Sequence, residues 1–267
     1  MAFESLGTGS VLVVAVLSGA VAFFYSNLGL GGGQLYVPIM DWFFVDLDMR
    51  EIVPLSLCFA FVTMLSATYT HSRKGLVHFK LGGLLAAGGL VGVVAGVLFT
   101  MTMSEWVVKV GFAALLVVAA TKMIYDLQKG RKDYVGCPAS WSLRCRLAGI
   151  GVSVLTGFLI GSFGIGGGVV SVPLIIYVFR FEPRFAIGTS AFMGAILTPA
   201  AFLAYVVTEG VTIHYDLALA LTPIVFVLGF VGSTWGLKRL KTKVVKMIFT
   251  GGVYLAASEM ILSLLLR

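Results

Sequence analysis

The sequence predicts an all-α polytopic membrane protein built of two inverted-topology repeats, each a glycine-tipped broken helix or hairpin followed by three transmembrane helices. Three observations point there. Apolar residues make up 59% of the 267-residue chain and charged residues 12%, with a mean hydropathy of +1.02. A soluble chain carries roughly 25% charge and cannot hide so much hydrocarbon. The segment GLGGGQLYVP at 29–38 returns as GIGGGVVSVP at 164–173, and basic and acidic loops alternate along the chain.

The elements follow in order from hydropathy. In the first half they are 10–28, 33–45, 52–70, 79–101 and 106–126; in the second, 147–163, 168–179, 186–207, 215–237 and 244–266. Residues 1–9 contain Glu4 but no Lys or Arg, so they lack the basic start of a cleavable signal peptide, and the first helix is expected to be retained. The two glycine clusters divide the first segment of each half. Four glycines in five residues cost about 1 kcal/mol each in helix propensity, too much for a continuous helix. Each arm holds about 12 to 19 residues, or roughly 18 to 28 Å at 1.5 Å per residue, which is short for a hydrocarbon core of ~30 Å. Hairpins reaching toward the midplane are the expected outcome. Irregular backbone at that depth survives only when it is buried in protein or lines a wet cavity.

The likeness of the halves extends beyond the glycines. Gly75 pairs with Gly210, His78 with His214, Gly96 with Gly232, and Val107-Val108-Lys109 with Val244-Val245-Lys246. This divides the chain into an N-terminal transmembrane repeat (1–127), a basic linker (128–146) and a C-terminal transmembrane repeat (147–267). Charge then sets orientation. Arg73 and Lys74, the linker with Lys129, Arg131, Lys132, Arg144 and Arg146, and the run from Lys238 to Lys246 are basic and belong on the cytoplasmic side. The stretch 41–51, with Asp41, Asp46, Asp48 and Glu51, the surroundings of Glu105, and the loop with Glu209 and Asp216 are acidic and belong outside. Arg180 and Arg184 then fall inside, so the second hairpin opens to the cytoplasm and the first to the exterior. The halves are expected to be inverted, in a cell membrane (the inner membrane of a Gram-negative cell), with the linker cytoplasmic.

Several functions are excluded. The net charge of +7 sits in short loops that orient the chain, so no nucleic-acid partner is expected. Cys137 and Cys145 have neither zinc-ligand nor CxxC spacing, and Cys58 lies in an apolar run. There is no HExxH, GxSxG or nucleotide-binding loop, hence no enzyme, metal or cofactor is expected. Gly88, Gly92 and Gly96, and Gly232 with Gly236, have the four-residue spacing of close helix packing. Lys122 and Glu259 occupy matching positions with opposite sign. They, Lys109, and the span-end His71, His78 and His214 fit interfacial placement, with coupling or proton relay as the sharper alternative.

The glycine tips are the candidate site. Gly29, Gly31, Gly32 and Gly33, and again Gly164, Gly166, Gly167 and Gly168, let a ligand approach the main chain. Free amides opening the following half-helix carry partial positive charge, which suits an anion. Ser26, Asn27 and Gln34 in one half, and Ser162 and Ser171 in the other, could complete the site.

The paired glycine motifs, Ile187-Gly188-Thr189-Ser190, the loop HSRKGLVHFKL at 71–81 and the basic LKRLKTKVVK at 237–246 together resemble the TauE/SafE family of membrane transporters. The resemblance covers nearly the whole chain. It implies a secondary transporter, an exporter of a small sulfur-containing anion such as sulfite or an organosulfonate, working by alternating access. The alternative is a transporter or channel for another small anion, such as thiosulfate or a carboxylate. Thr189 and Ser190 are the hydroxyls the resemblance brings to the site. The first half reads Val53-Pro54-Leu55-Ser56 where Gly-Thr-Ser would be expected, leaving Ser56 alone. The expected partners are a small anionic substrate, membrane lipid and, optionally, further copies of the chain in a homo-oligomer.

Overall fold

The computed structural model describes residues 8–129 and 143–239, with Gly251, Tyr254 and Ser258 as isolated helical positions. Among the described residues there is no strand. Helix α1 (Thr8–Tyr25) tightens into a 3-10 turn, Ser26–Leu28, and the chain resumes as α2 (Gly33–Phe43). Then come α3 (Met49–Ser72), α4 (Phe79–Thr102) and α5 (Glu105–Lys129). The second half supplies α6 (Leu143–Phe163), α7 (Gly168–Phe179), α8 (Pro183–Val207) and α9 (Tyr215–Arg239). Of the element expected at 244–266 only Gly251, Tyr254 and Ser258 are described, and Cys137, Glu259, most of the linker, and the side chains of Lys122 and Cys145 lie outside the described residues.

Local chemistry fixes the helix ends. Helix α3 starts three residues earlier than hydropathy predicts, because Glu51 Oε2 accepts the Asp48 N–H at 3.1 Å and supplies one arm of a capping box. Pro183 opens α8, where its missing N–H costs nothing. At the start of α4, His78 Nδ1 accepts the Leu81 N–H at 3.1 Å.

Six of these helices are long and apolar enough to cross a membrane: α1 with its 3-10 turn, α3, α4, α6, α8 and α9. Helices α2 and α7, of 11 and 12 residues, are not. The polarity is that of a protein in lipid. Leu12, Val91, Val207 and Leu219 are more than 60% exposed, while Ser18, Ser153, Thr156, Thr198 and Ser233 are fully buried.

The packing of the two halves pairs off. Helix α4 lies along α6, and its counterpart α9 lies along α1. Helix α3 packs on its own counterpart α8; α2 packs on α3 as α7 does on α8; and α9 meets α3 as α4 meets α8. Each half therefore covers the broken segment of the other. Close approach at these seams needs glycine. A Cβ on Gly88 would lie 2.6 Å from Ser153 Oγ, one on Gly92 would strike the Val154 carbonyl, and one on Gly96 the Phe158 carbonyl. Gly232 meets the Phe23 carbonyl in the same way, the counterpart of Gly96 on Phe158. The surroundings of Gly236 lie outside the described residues.

Candidate functional site

Both glycine clusters break their helices with the same backbone. Gly29, Gly31 and Gly32 have φ of 58°, 79° and 85°, and Gly164, Gly166 and Gly167 have 66°, 72° and 79°. A residue with a side chain costs roughly 1–2 kcal/mol in that left-handed region. Gly32 and Gly167 sit at the N-cap positions of α2 and α7, and no side chain caps either helix. The Leu35 and Val170 N–H groups already donate to the Gly32 and Gly167 carbonyls at 2.9 and 3.2 Å. The first-turn amides left without an intrahelical acceptor or a side-chain cap are therefore those of Gly33 and Gln34 in α2 and of Gly168 and Val169 in α7.

The two tips meet. A Cβ on Gly31 would lie 2.9 Å from Gly166 Cα, and one on Gly166 would lie 2.9 Å from Gly31 Cα. The next contacts are reciprocal: a Cβ on Gly33 would strike the Gly164 carbonyl, and one on Gly168 the Gly29 carbonyl. No Asp, Glu, Lys, Arg or His occurs in 25–36 or 160–173. What these two segments themselves offer a ligand is peptide dipoles, positive where the half-helices begin, and neutral polar side chains.

Hydroxyls brace the tips from outside. The Ser56 hydroxyl, on α3, is directed at the Val53 carbonyl (2.7 Å) and at the Gly164 carbonyl of the opposite tip (3.4 Å). Ser190, on α8, reaches the Gly29 carbonyl at 3.3 Å and shares a 2.6 Å hydrogen bond with Ser171, whose hydroxyl also donates to the Gly167 carbonyl at 2.9 Å. Each half thereby holds the tip of the other.

Two predicted hydroxyls make other contacts. Thr189 Oγ1 accepts the His78 N–H at 3.0 Å and ties α8 to the start of α4. Ser162 donates to the Gly96 carbonyl at 3.2 Å, also on α4. The structure brings Gly29, Gly31, Gly32, Gly33, Gly164, Gly166, Gly167, Gly168, Ser56 and Ser190 into one cluster, with Thr189 and Ser162 bonded away from it.

The first tip differs from the second in its polar side chains. Asn27 Nδ2 donates to the Phe23 carbonyl at 3.1 Å, as Ser26 does at 3.3 Å, but Asn27 Oδ1 is buried without a partner. Gln34, at the start of α2, is fully buried, and neither its Nε2 nor its Oε1 has a protein partner. Buried amides are nearly always hydrogen-bonded, so this one calls for a ligand or ordered water. Tyr36 was not singled out by sequence. Its ring lies under Gly32, with a Cβ there 2.8 Å from Tyr36 Cζ, and its hydroxyl bonds Thr63 at 2.8 Å. The available signal was its place one helical turn beyond Gly32.

The histidines and Lys109 are also engaged. His71 Nδ1 bonds the Ala67 carbonyl at 2.8 Å, and His214 Nε2 lies 3.4 Å from Glu51. Lys109, expected at the outer boundary, is 4% exposed and pairs with Asp41.

Residues 12–260 match the family described as Sulfite exporter TauE/SafE. The "Probable membrane transporter protein YunE" of Bacillus subtilis is 28% identical over 257 residues, covering 89% of this chain and 91% of the relative. A "Probable membrane transporter protein" of Haemophilus influenzae is 27% identical over 204 residues, 74% of each chain. One from Methanocaldococcus jannaschii is 22% identical over 216 residues, 76% of this chain and 75% of the relative. No solved structure matches.

Proposed function

We propose, from the premise that this chain belongs to the sulfite exporter TauE/SafE family and is a membrane transporter, that it exports a small sulfur-containing anion such as sulfite or an organosulfonate. The anion sits at the meeting of the glycine tips, bound by the first-turn amides of α2 and α7 and by the Gln34 amide. Transport is by alternating access, with the halves inverted across the membrane and the linker in the cytoplasm. The observation that carries this reading is the meeting of two uncapped half-helices on matched left-handed glycines. Such a junction offers an anion several N–H groups without a full countercharge, and binding can then be reversible.

The reciprocal packing of the halves supports the mechanism, since two equivalent arrangements of similar energy are what alternating access requires. The tips close on one another here, so anion entry needs one hairpin to draw away from the other. A test uses purified protein in liposomes loaded with radiolabelled sulfite. Efflux that saturates and is accelerated by unlabelled sulfite on the opposite side is expected. A linear, unaccelerated flux would point to a channel, and no flux of sulfite, thiosulfate or sulfoacetate would refute the cargo class. Gly32→Val and Gly167→Val should each insert in the membrane and lose transport, because a side chain there meets Tyr36 or Ile160 and forces a disfavoured φ.

A further inference from the structure

One cluster of ionisable groups is left over by the tip chemistry. It lies where the first hairpin leaves toward α3, and it is absent from the second, whose residue corresponding to Asp41 is Ile176. Asp41, near the end of α2, is 3% exposed, and its Oδ2 has no hydrogen-bond partner. Its Oδ1 lies 2.9 Å from Lys109 Nζ on α5. The same ammonium is 2.8 Å from Glu105 Oε1, whose side chain is 39% exposed. The Asp48 carboxyl, in the loop before α3, lies beside that of Glu105 and interacts with it. The chain of contacts runs from solvent at Asp48 through Glu105 and Lys109 to the buried carboxylate of Asp41.

The charges do not balance. Asp41 and Glu105 share one ammonium, and the Asp48 carboxyl beside Glu105 adds a third acidic group, an arrangement that favours a bound proton. Two further charged groups act on Asp48 and oppose each other, Arg50 favouring its charged form and Glu51 disfavouring it. Arg50, at the start of α3, donates to the Met103 carbonyl at 3.0 Å, and Glu51 faces His214, which precedes α9. The Asp48 carboxyl is accordingly raised above its usual range, first by its hydrogen bond to Glu105 and then by burial. Helix α2 links this cluster to the tip. From Gly33 to Asp41 it is about 12 Å of one rigid helix at 1.5 Å per residue.

We propose that Asp41, Lys109, Glu105 and Asp48 form a proton-binding site that couples proton movement to displacement of the first hairpin. In the conformation described here the proton is shared by Asp48 and Glu105, and the ammonium holds α2 to α5. When α2 withdraws, Asp41 loses Lys109 and would be left as a bare buried carboxylate. It then takes the proton, which leaves the Asp48–Glu105 pair and arrives on Asp41 Oδ2. The Asp48–Glu105 pair, with Lys109 beside it, then regains a proton from solvent at Asp48, so the four groups take up one proton as α2 withdraws and release it when Asp41 recovers Lys109.

The proposal rests on the transporter reading, and the test keeps the two separate. In sulfite-loaded liposomes, Asp41→Asn should lower proton-gradient-driven net efflux by about tenfold or more while equilibrium sulfite exchange stays within about twofold of the parent, since a neutral side chain can still move but carries no proton. Glu105→Gln should act in the same direction. The proposal is overturned if Asp41→Asn keeps gradient-driven efflux, or loses exchange in equal proportion, as a merely structural ion pair would. If the parent protein moves no sulfite, the transporter reading fails and amide exchange of detergent-solubilised protein decides the proton site. Protection of α2, corrected for intrinsic rates, should fall on acidification in the parent and stay flat with pH in Asp41→Asn. A flat parent profile, or an unchanged slope in the variant, overturns the site.

Discussion

The two glycine tips have one backbone and two chemistries. Left-handed glycines recur at the same three positions, each half-helix starts without a side-chain cap, and each tip carbonyl is held by a serine of the other half. Around the second tip the polar side chains are satisfied: Ser162 bonds Gly96, Ser171 bonds Ser190 and Gly167, and the Tyr205 hydroxyl bonds the Gly161 carbonyl at 2.7 Å. Around the first, Asn27 and Gln34 hold buried polar atoms with no partner, and the position corresponding to Gln34 is Val169. The doubled backbone builds the junction; unsatisfied polar atoms on one side of it would give the proposed anion a preferred orientation.

The comparison can be broken most severely at its most symmetric point. Gly33→Ala and Gly168→Ala each drive a methyl group into a carbonyl of the opposite tip. Each should destabilise the protein by roughly 1–3 kcal/mol, the range for overpacking, and abolish sulfite flux. Thermal unfolding in detergent and liposome efflux measure the two effects, and a strong asymmetry between the variants would show that the tips are not mechanically equivalent.

A chemical asymmetry should appear one residue further along. Gln34→Ala is expected to weaken sulfite binding by about tenfold, the value of one lost hydrogen bond to a charged group, while Val169→Ala leaves it nearly unchanged. Equilibrium binding to purified protein reads the difference. Equal losses would remove the distinction between the tips.

The serine braces test symmetry again, at lower energy. Ser56→Ala and Ser190→Ala should each cost about 1 kcal/mol, with Ser190 the larger because its loss also removes the 2.6 Å bond to Ser171, which keeps only its bond to Gly167. Chemical or thermal denaturation of the pair would show it.

The smallest effect lies at the hairpin exits. Because Glu105 raises the Asp48 carboxyl, the folded state favours the protonated form, and stability should decline as pH rises from the ordinary carboxylate value through the raised one. Asp48→Asn should flatten that decline, read as melting temperature against pH. The second hairpin ends at Arg180 in left-handed conformation, with no comparable carboxyl pair among the described residues near it, and substitutions there should leave the profile unchanged.

Much of this organisation was legible in the sequence because it is local. Glycine clusters break helices wherever they occur, and apolar runs set the spans, so nine described helices fall close to their expected positions. Helix α3 began early because a cap acts on a few residues that hydropathy averages away. Contacts across the fold were less legible. Ser56 and Ser190 do equivalent work although they stand one residue out of step with the glycines, because what matters is which carbonyl a hydroxyl reaches. Thr189, adjacent to Ser190, points a third of a turn away and holds His78 instead. Asp41 read as part of an acidic external stretch and Lys109 as a boundary lysine. Their pairing joins α2 to α5 across 68 residues of chain, and no periodicity records it.

The central claim is that an anion binds where the tips meet. Selenite, an oxyanion close in shape to sulfite, scatters anomalously and can be located in crystals of the protein. A peak within hydrogen-bonding distance of the first-turn amides of α2 or α7 and of Gln34 is the expected result. A peak confined to the basic loops, with none between the tips at saturating selenite, would contradict it.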